Sequence, residues 1–316
     1  MLQNKTFKNF LIEQKSLVTL LILIAIVSCL SDNFFTLNNF FNILQQTSIN
    51  AIIAVGMTLV ILTSGIDLTV GSAFALAGAI TASLIGSDIS PFIAIALSLA
   101  LGSLLGAFSG LIIAKGKIQP FIATLVMMLI LRGVTQVYTK GSPISTGMND
   151  NSELFEWFAF GRVFAIPVPI IIMAMVFIAA WYLLKYTRLG RYIYALGGNE
   201  AATKLSGINV DRVKITVYAL SGLLCALAST IEVARLSSAQ PTAGTGYEMD
   251  AIAAVVLGGT SMSGGKGKII GTLIGALILG FLNNGLNMLG VDAYYQMIVK
   301  GVVILLAVLV DKKTNK

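Results

Sequence analysis

The sequence predicts an all-α, polytopic membrane protein: about ten transmembrane helices in one membrane domain spanning 1–316, with both termini cytoplasmic. Three observations carry this. Apolar residues make up 56% of the chain and charged ones only 11%, against roughly 25% charge in soluble proteins. The apolar residues fall into long runs split by short polar stretches, more than a soluble core can bury. The basic residues gather in alternate loops, as they do on the inner side of a membrane.

Taken in order, the runs place crossings at 17–31, 48–64, 68–86, 91–114, 118–138, 167–184, 215–234, 250–261, 269–289 and 297–310. The first follows Lys5, Lys8 and Lys15 and lacks a small-residue cleavage site, so it is expected to stay as a helix. The eighth is too short to cross a hydrocarbon core of roughly 30 Å and reads as a half-helix sheltered by protein. Pro91, Pro120, Pro167 and Pro169 sit near helix starts, where a missing N–H costs little. Gly102, Gly106 and Gly110 share a face of the fourth run, and Gly271 and Gly275 share one in the ninth. Such faces let helices approach closely in lipid. Lys115, Lys117, Lys266, Lys268, Lys312, Lys313 and Lys316 fall on the same side as the N-terminal lysines. The other side holds only Lys140, Arg162 and Arg235, which requires an even number of crossings.

Composition also excludes functions. There is no histidine, which removes histidine metal sites and proton relays together. Cys29 and Cys225 lie in apolar runs and read as small buried residues. The net charge of +7 is explained by the inside bias, so no nucleic-acid partner is expected and lipid is the solvent. No nucleophile–base pair or metal constellation appears, so no catalytic residue, cofactor or metal is assigned. Ser263-Gly264-Gly265-Lys266-Gly267 invites a phosphate-loop reading, but Thr260 stands where that loop needs its first glycine and Gly267 where it needs Ser or Thr. A nucleotide site is rejected.

The longest polar interruption before the C-terminus runs from 185 to 214. It carries Lys185, Arg188, Arg191, Lys204, Arg212 and Lys214 against Glu200 and Asp211, which places it in the cytoplasm. Its centre predicts a short helix capped by Asn199, with Glu200 at its positive end and Gly207 stopping it. The stretch from about 139 to 166 is the matching loop on the outer side, periplasmic in a bacterial inner membrane.

Four motifs carry a resemblance. Glu200-Ala201-Ala202 followed by Gly207 is similar to the EAA–G coupling motif of ABC-importer permeases, with four intervening residues where many have three. The runs 65–72 (GIDLTVGS), 187–191 (TRLGR) and 257–260 (LGGT), the last followed by 264–267 (GGKG), resemble the branched monosaccharide permease family of binding-protein-dependent importers. The likeness runs from Glu13 to Asp311 and is of the ribose type. It implies an inner-membrane subunit with no enzymatic activity of its own. A separate ABC ATPase subunit would dock at Glu200, Ala201, Ala202 and Gly207. A periplasmic ribose-binding protein would deliver the sugar, and a second permease copy would complete a homodimer around one path. Another monosaccharide, or ion-coupled secondary transport, are the alternatives. The latter usually needs carboxylates near the midplane, whereas the acidic residues here are expected mostly at span ends.

Further residues are assigned from their chemistry. Gln45, Gln46 and Asn50, with Asn283, Asn284 and Asn287, are amides in apolar surroundings. They either line a sugar path or bond between helices. Gly65, Asp67 and Gly71 break two runs at a carboxylate, as a helix cap or a gate. Glu232 and Arg235 can pair on one helix face. Arg162 and Arg235, outside, are candidates for docking the binding protein. Arg132 and Lys300 should snorkel or find internal partners.

Overall fold

The computed structural model describes residues 15–30 and 34–314. Its helices are α1 (Lys15–Leu30), α2 (Leu37–Leu62), α3 (Val70–Gly86), α4 (Pro91–Gly116), α5 (Pro120–Thr139), α6 (Asp150–Phe160) and α7 (Val168–Tyr186). There follow α8 (Arg188–Gly198), α9 (Glu200–Leu205), α10 (Val210–Leu236), α11 (Tyr247–Leu257), α12 (Ile269–Met288) and α13 (Ala293–Thr314). Two short antiparallel ribbons join loops, β1 (Ile144–Ser145) with β4 (Ser238–Ala239) and β2 (Arg162–Val163) with β3 (Ile166–Pro167).

The helix starts follow local chemistry. Thr36 caps α2 by accepting from the Asn39 N–H, and Pro91 and Pro120 occupy the first positions of α4 and α5. Spans α2 and α10 form the centre: 78% and 72% of their apolar windows are buried, against 28%, 28% and 33% for α4, α5 and α7. The outer three turn large apolar side chains such as Leu104, Phe108, Leu129 and Ile178 outward. The glycine face of α4 lies on α10. A Cβ on Gly106 would stand 2.1 Å from the Tyr218 carbonyl oxygen, and one on Gly102 2.4 Å from that of Gly222. Gly271 likewise meets Gly258, the C-terminal cap of α11, and Gly275 meets Ala254 within that helix. Both small-residue faces thus serve packing within the chain.

The ten crossings are corrected. Six described helices, α2, α4, α5, α7, α10 and α12, are long and apolar enough to cross a membrane, where about 20 residues are needed. Helix α1 has 16 residues, α3 has 17 and α11 only 11. The reason for α3 and α11 is geometric. After α2 the chain folds back, with the Gly65 N–H on the Val60 carbonyl, and Asp67 reaches Ser221. That serine lies about 16 Å along α10 from its start, so α3 begins inside the bundle. Helix α11 begins beside it, with Gly244 against Gly71 and the Tyr247 and Phe74 rings 5.2 Å apart. Helix α13 has 22 residues, but most side chains of its C-terminal half lie outside the described residues, and it is not among the six. Lys5, Lys8 and Lys316 lie outside the described residues, so the placement of both termini rests on charge alone.

Two loops hold more structure than expected. The 139–166 stretch contains α6, closed by a capping box between Asn149 and Ser152. The 185–214 stretch contains α8, capped by Thr187, besides the expected short helix.

Candidate functional site

One cleft gathers polar side chains at the middle of the bundle. Gln46, Thr47 and Asn50 of α2, Asp250 and Ala254 of α11, and Ala276, Leu279, Gly280 and Asn283 of α12 line a space of about 50 Å³. Asn50 stands at the midpoint of α2, and Asn42, Gln46 and Asn50 repeat every fourth residue along one stripe. Gln46 is exposed, whereas the Oδ1 atoms of Asn50 and Asn283 and the Oγ1 of Thr47 are buried without a hydrogen-bond partner. Gly280 closes the floor, because a Cβ there would strike the Thr47 hydroxyl. These acceptors are costly unless water or a polar solute meets them.

The structure therefore divides the six predicted path residues. Gln46, Asn50 and Asn283 line the cleft. Gln45 donates to the Ala159 carbonyl at 2.8 Å, Asn284 exchanges paired amide bonds with Asn39 at 3.0 Å, and Asn287 accepts from Gln296. Those three bond between segments. Asp250, which sequence reasoning did not single out, enters the cleft and is held by Lys300 of α13 at 3.1 Å. Lys300 is a lone cation in an apolar run and needs an internal anion, and that need was the available signal.

Asp67 sits in the turn before α3. Its Oδ1 accepts from the Thr69 N–H at 3.0 Å and from the Thr69 hydroxyl, and its Oδ2 accepts from Ser221 at 2.8 Å. The cap residue proper is Thr69, so Asp67 braces the turn one step earlier and ties it to α10. Gly65 lies against the Tyr218 hydroxyl and Gly71 against Gly244. Glu232 is bonded by the Tyr247 hydroxyl at 2.8 Å, rather than through a pair with Arg235. Arg132 finds the internal partners expected of it, the carbonyls of Pro241 and Ala243. Asp67, Glu232 and Asp250 all lie within the bundle, so the expectation that acidic residues keep to span ends holds only in part.

The end of the bundle away from Lys140 carries α8 and α9. Helix α8 is amphipathic, burying Gly190, Ile193 and Leu196. Its Tyr194 hydroxyl donates to the Gly267 carbonyl, and burial pushes that phenol's pKa up, so it remains a donor. Gly197 fits under the Leu62 carbonyl and beside Gly265, joining α8 to the end of α2 and to the loop before α12. Asn199 caps α9 through the Ala202 N–H at 2.9 Å, and Lys214 anchors Glu200 at 2.7 Å. Thr203 is buried beneath it, whereas Ala201, Ala202 and Leu205 face outward, Leu205 at 89% exposure. Gly207 takes φ +81° directly after the helix, with open space around it.

At the opposite end, Arg162 is exposed on the β2–β3 ribbon, whose tip presents Phe164 at 96% exposure. Arg235 is half-buried in the last turn of α10.

The model of the family described as branched-chain amino acid transport system / permease component matches residues 39–308. The chain is 72% identical to the ribose import permease protein RbsC of Escherichia coli strain K12, over 97% of this chain and 95% of that one. It is 61% identical to the protein of that name from Haemophilus influenzae strain Rd, over 98% of each. With that of Bacillus subtilis strain 168 it shares 56%, over 94% of this chain and 91% of the relative. No solved structure matches it.

Proposed function

We propose a function from the premise that this chain belongs to the branched-chain amino acid transport system / permease component family: it is the membrane-spanning subunit of an ATP-driven importer whose cargo is ribose. The observation that carries the cargo is the near-full-length likeness to three proteins named as ribose import permeases. The protein sits in the bacterial inner membrane. A periplasmic binding protein hands ribose to the outer end, and an ATPase subunit acts on the inner end through Glu200, Ala201, Ala202 and Gly207.

The cleft supports a homodimer. Its amide stripe is exposed at Asn42 and Gln46, and an exposed Gln46 beside orphaned acceptors is too costly to face lipid. A second copy across this face would enclose a wet path whose amides offer uncharged donors and acceptors, which suit a neutral polyol, with the carboxylate of Asp250 neutralised by Lys300 at its wall. Gly65, Asp67 and Gly71 then form the hinge at which α3 gates that path.

The test is reconstitution of the chain with its ATPase and candidate binding proteins in vesicles, measuring uptake of several pentoses and hexoses. Ribose uptake that needs ATP and survives an ionophore is expected. Uptake that stops with the ionophore would replace the reading with ion-coupled transport, and preference for a hexose would replace the cargo.

Two smaller predictions belong here. In a chain lacking Cys29 and Cys225, cysteines at Lys115 and Lys204 are expected to react with an impermeant thiol reagent only from the inner side. Those at Lys140 and Arg162 should react only from the outer side. Labelling of the Lys204 and Lys140 positions from one face would remove the assignment of the two ends. Charge reversal at both Arg162 and Arg235 is expected to weaken stimulation of ATP hydrolysis by the binding protein and leave basal hydrolysis intact. Unchanged stimulation would refute docking through these arginines.

A further inference from the structure

A second recess lies where α7 ends and α12 begins, on the same end of the bundle as α8 and α9. Trp181, Leu184, Lys185, Tyr194, Lys268, Ile269 and Ile270 line a space of about 310 Å³. Two cations enter it and no acidic side chain does. Among the described residues, no carboxylate pairs with Lys185 or Lys268. Lys185 lies over the faces of Trp181 and Tyr186, 5.1 and 5.2 Å from their centroids. The remaining wall is apolar, and Ile270 and Ile178 continue it along the outside of the spans. Trp181, Tyr182 and Tyr186 gather at the last turns of α7, where a span meets the headgroup layer.

We infer that this recess binds the headgroup of an anionic glycerophospholipid, with the phosphate between Lys185 and Lys268 and an acyl chain along Leu184, Ile269 and Ile270. The charge argues for the occupant. Two unpaired lysines against a low-dielectric wall attract a phosphodiester carrying net negative charge, whereas a zwitterionic headgroup brings its own cation and gains less. The apolar wall argues for a lipid over a free anion, because only an amphiphile meets both surfaces. The recess is separate from the amide cleft, so the inference does not depend on the cargo.

The chain carries two tryptophans, and Trp181 lines the recess. In a Trp157→Phe background, Trp181 becomes the sole tryptophan and, excited beyond the tyrosine band, reports its own lipid neighbours. The full-length chain is placed in phosphatidylcholine vesicles containing either brominated phosphatidylglycerol or brominated phosphatidylcholine at equal mole fraction. Stronger quenching by the anionic probe is expected, equivalent to a relative affinity of roughly five-fold per lysine. Lys185→Gln with Lys268→Gln should abolish the preference, while Lys185→Arg with Lys268→Arg retains it. Lys115→Gln with Lys117→Gln, on the same end but outside the recess, should leave it intact. In the lysine-containing chain, high salt should erase the preference. Equal quenching by both probes, a preference that survives the double glutamine change or high salt, or equal loss in the Lys115 and Lys117 variant would each overturn the inference.

Discussion

Ala202→Trp is expected to reduce ATP-driven ribose uptake to background while the chain still inserts and folds. Ala202 faces outward from α9, beside Ala201 and the exposed Leu205, so an indole there disturbs no internal contact. It would instead hold the surface of a partner away from the helix. Motion imposed on α9 has a stiff route inward, because Asn199 caps it, Lys214 ties Glu200 to α10, and Gly197 seats α8 under the end of α2. Gly207→Val attacks the same element differently. Its φ of +81° strains a β-branched residue whatever space surrounds it, at a cost of about 1–3 kcal/mol. The exit of α9 should therefore rearrange. Co-purification of the ATPase subunit and ribose uptake in vesicles check both variants. Near-normal values for both would reduce 185–214 to a connector.

Gly71→Val is expected to deplete the folded protein. A Cβ at this position would stand 2.1 Å from the Gly244 carbonyl oxygen and 2.7 Å from a Glu248 carboxylate oxygen. Backbone cannot yield as a side-chain tip can. The two helices that begin inside the bundle would have to separate, carrying with them the Asp67–Ser221 brace and the Tyr247–Glu232 bond. Overpacking of this kind costs about 1–3 kcal/mol or more, a large part of a typical margin. Gly133→Val is the control, since a Cβ there meets nothing within 4 Å. Thermal unfolding followed by size-exclusion fluorescence should show a lower midpoint for Gly71→Val and little change for Gly133→Val. Equal behaviour would mean that α3 and α11 do not depend on their contact.

Long apolar runs were enough to locate the six spans, because burial in lipid leaves no other use for them. The short helix at Glu200 was legible through its own cap, Asn199, a signal contained within four residues. The first three turns of α2 were not, because Asn39, Gln45 and Gln46 look too polar for a span. Their amides are satisfied by Asn284 and Ala159 or open into the cleft, and those partners are distant in the chain. For the same reason, spacing put Asn283 and Asn287 on one helix face but could not say that one lines the cleft and the other meets Gln296. At the third and eighth runs the count of ten failed because the chain turns back inside the protein. A run such as 68–86 has the composition of a span, while its depth of entry is set by Ser221 and Gly244, contacts that no local pattern contains.

The central claim is that the amide cleft is the wet path for sugar. A single cysteine at Gln46, with Cys29 and Cys225 replaced by serine, tests it directly in the reconstituted importer. A small water-soluble thiol reagent is expected to modify this position and block uptake. Turnover with ribose-loaded binding protein and ATP should change the modification rate, and a cysteine at the outward-facing Phe108 should stay inert. A Gln46 cysteine as unreactive as the one at Phe108, or one whose full modification leaves ribose uptake untouched, would contradict the account.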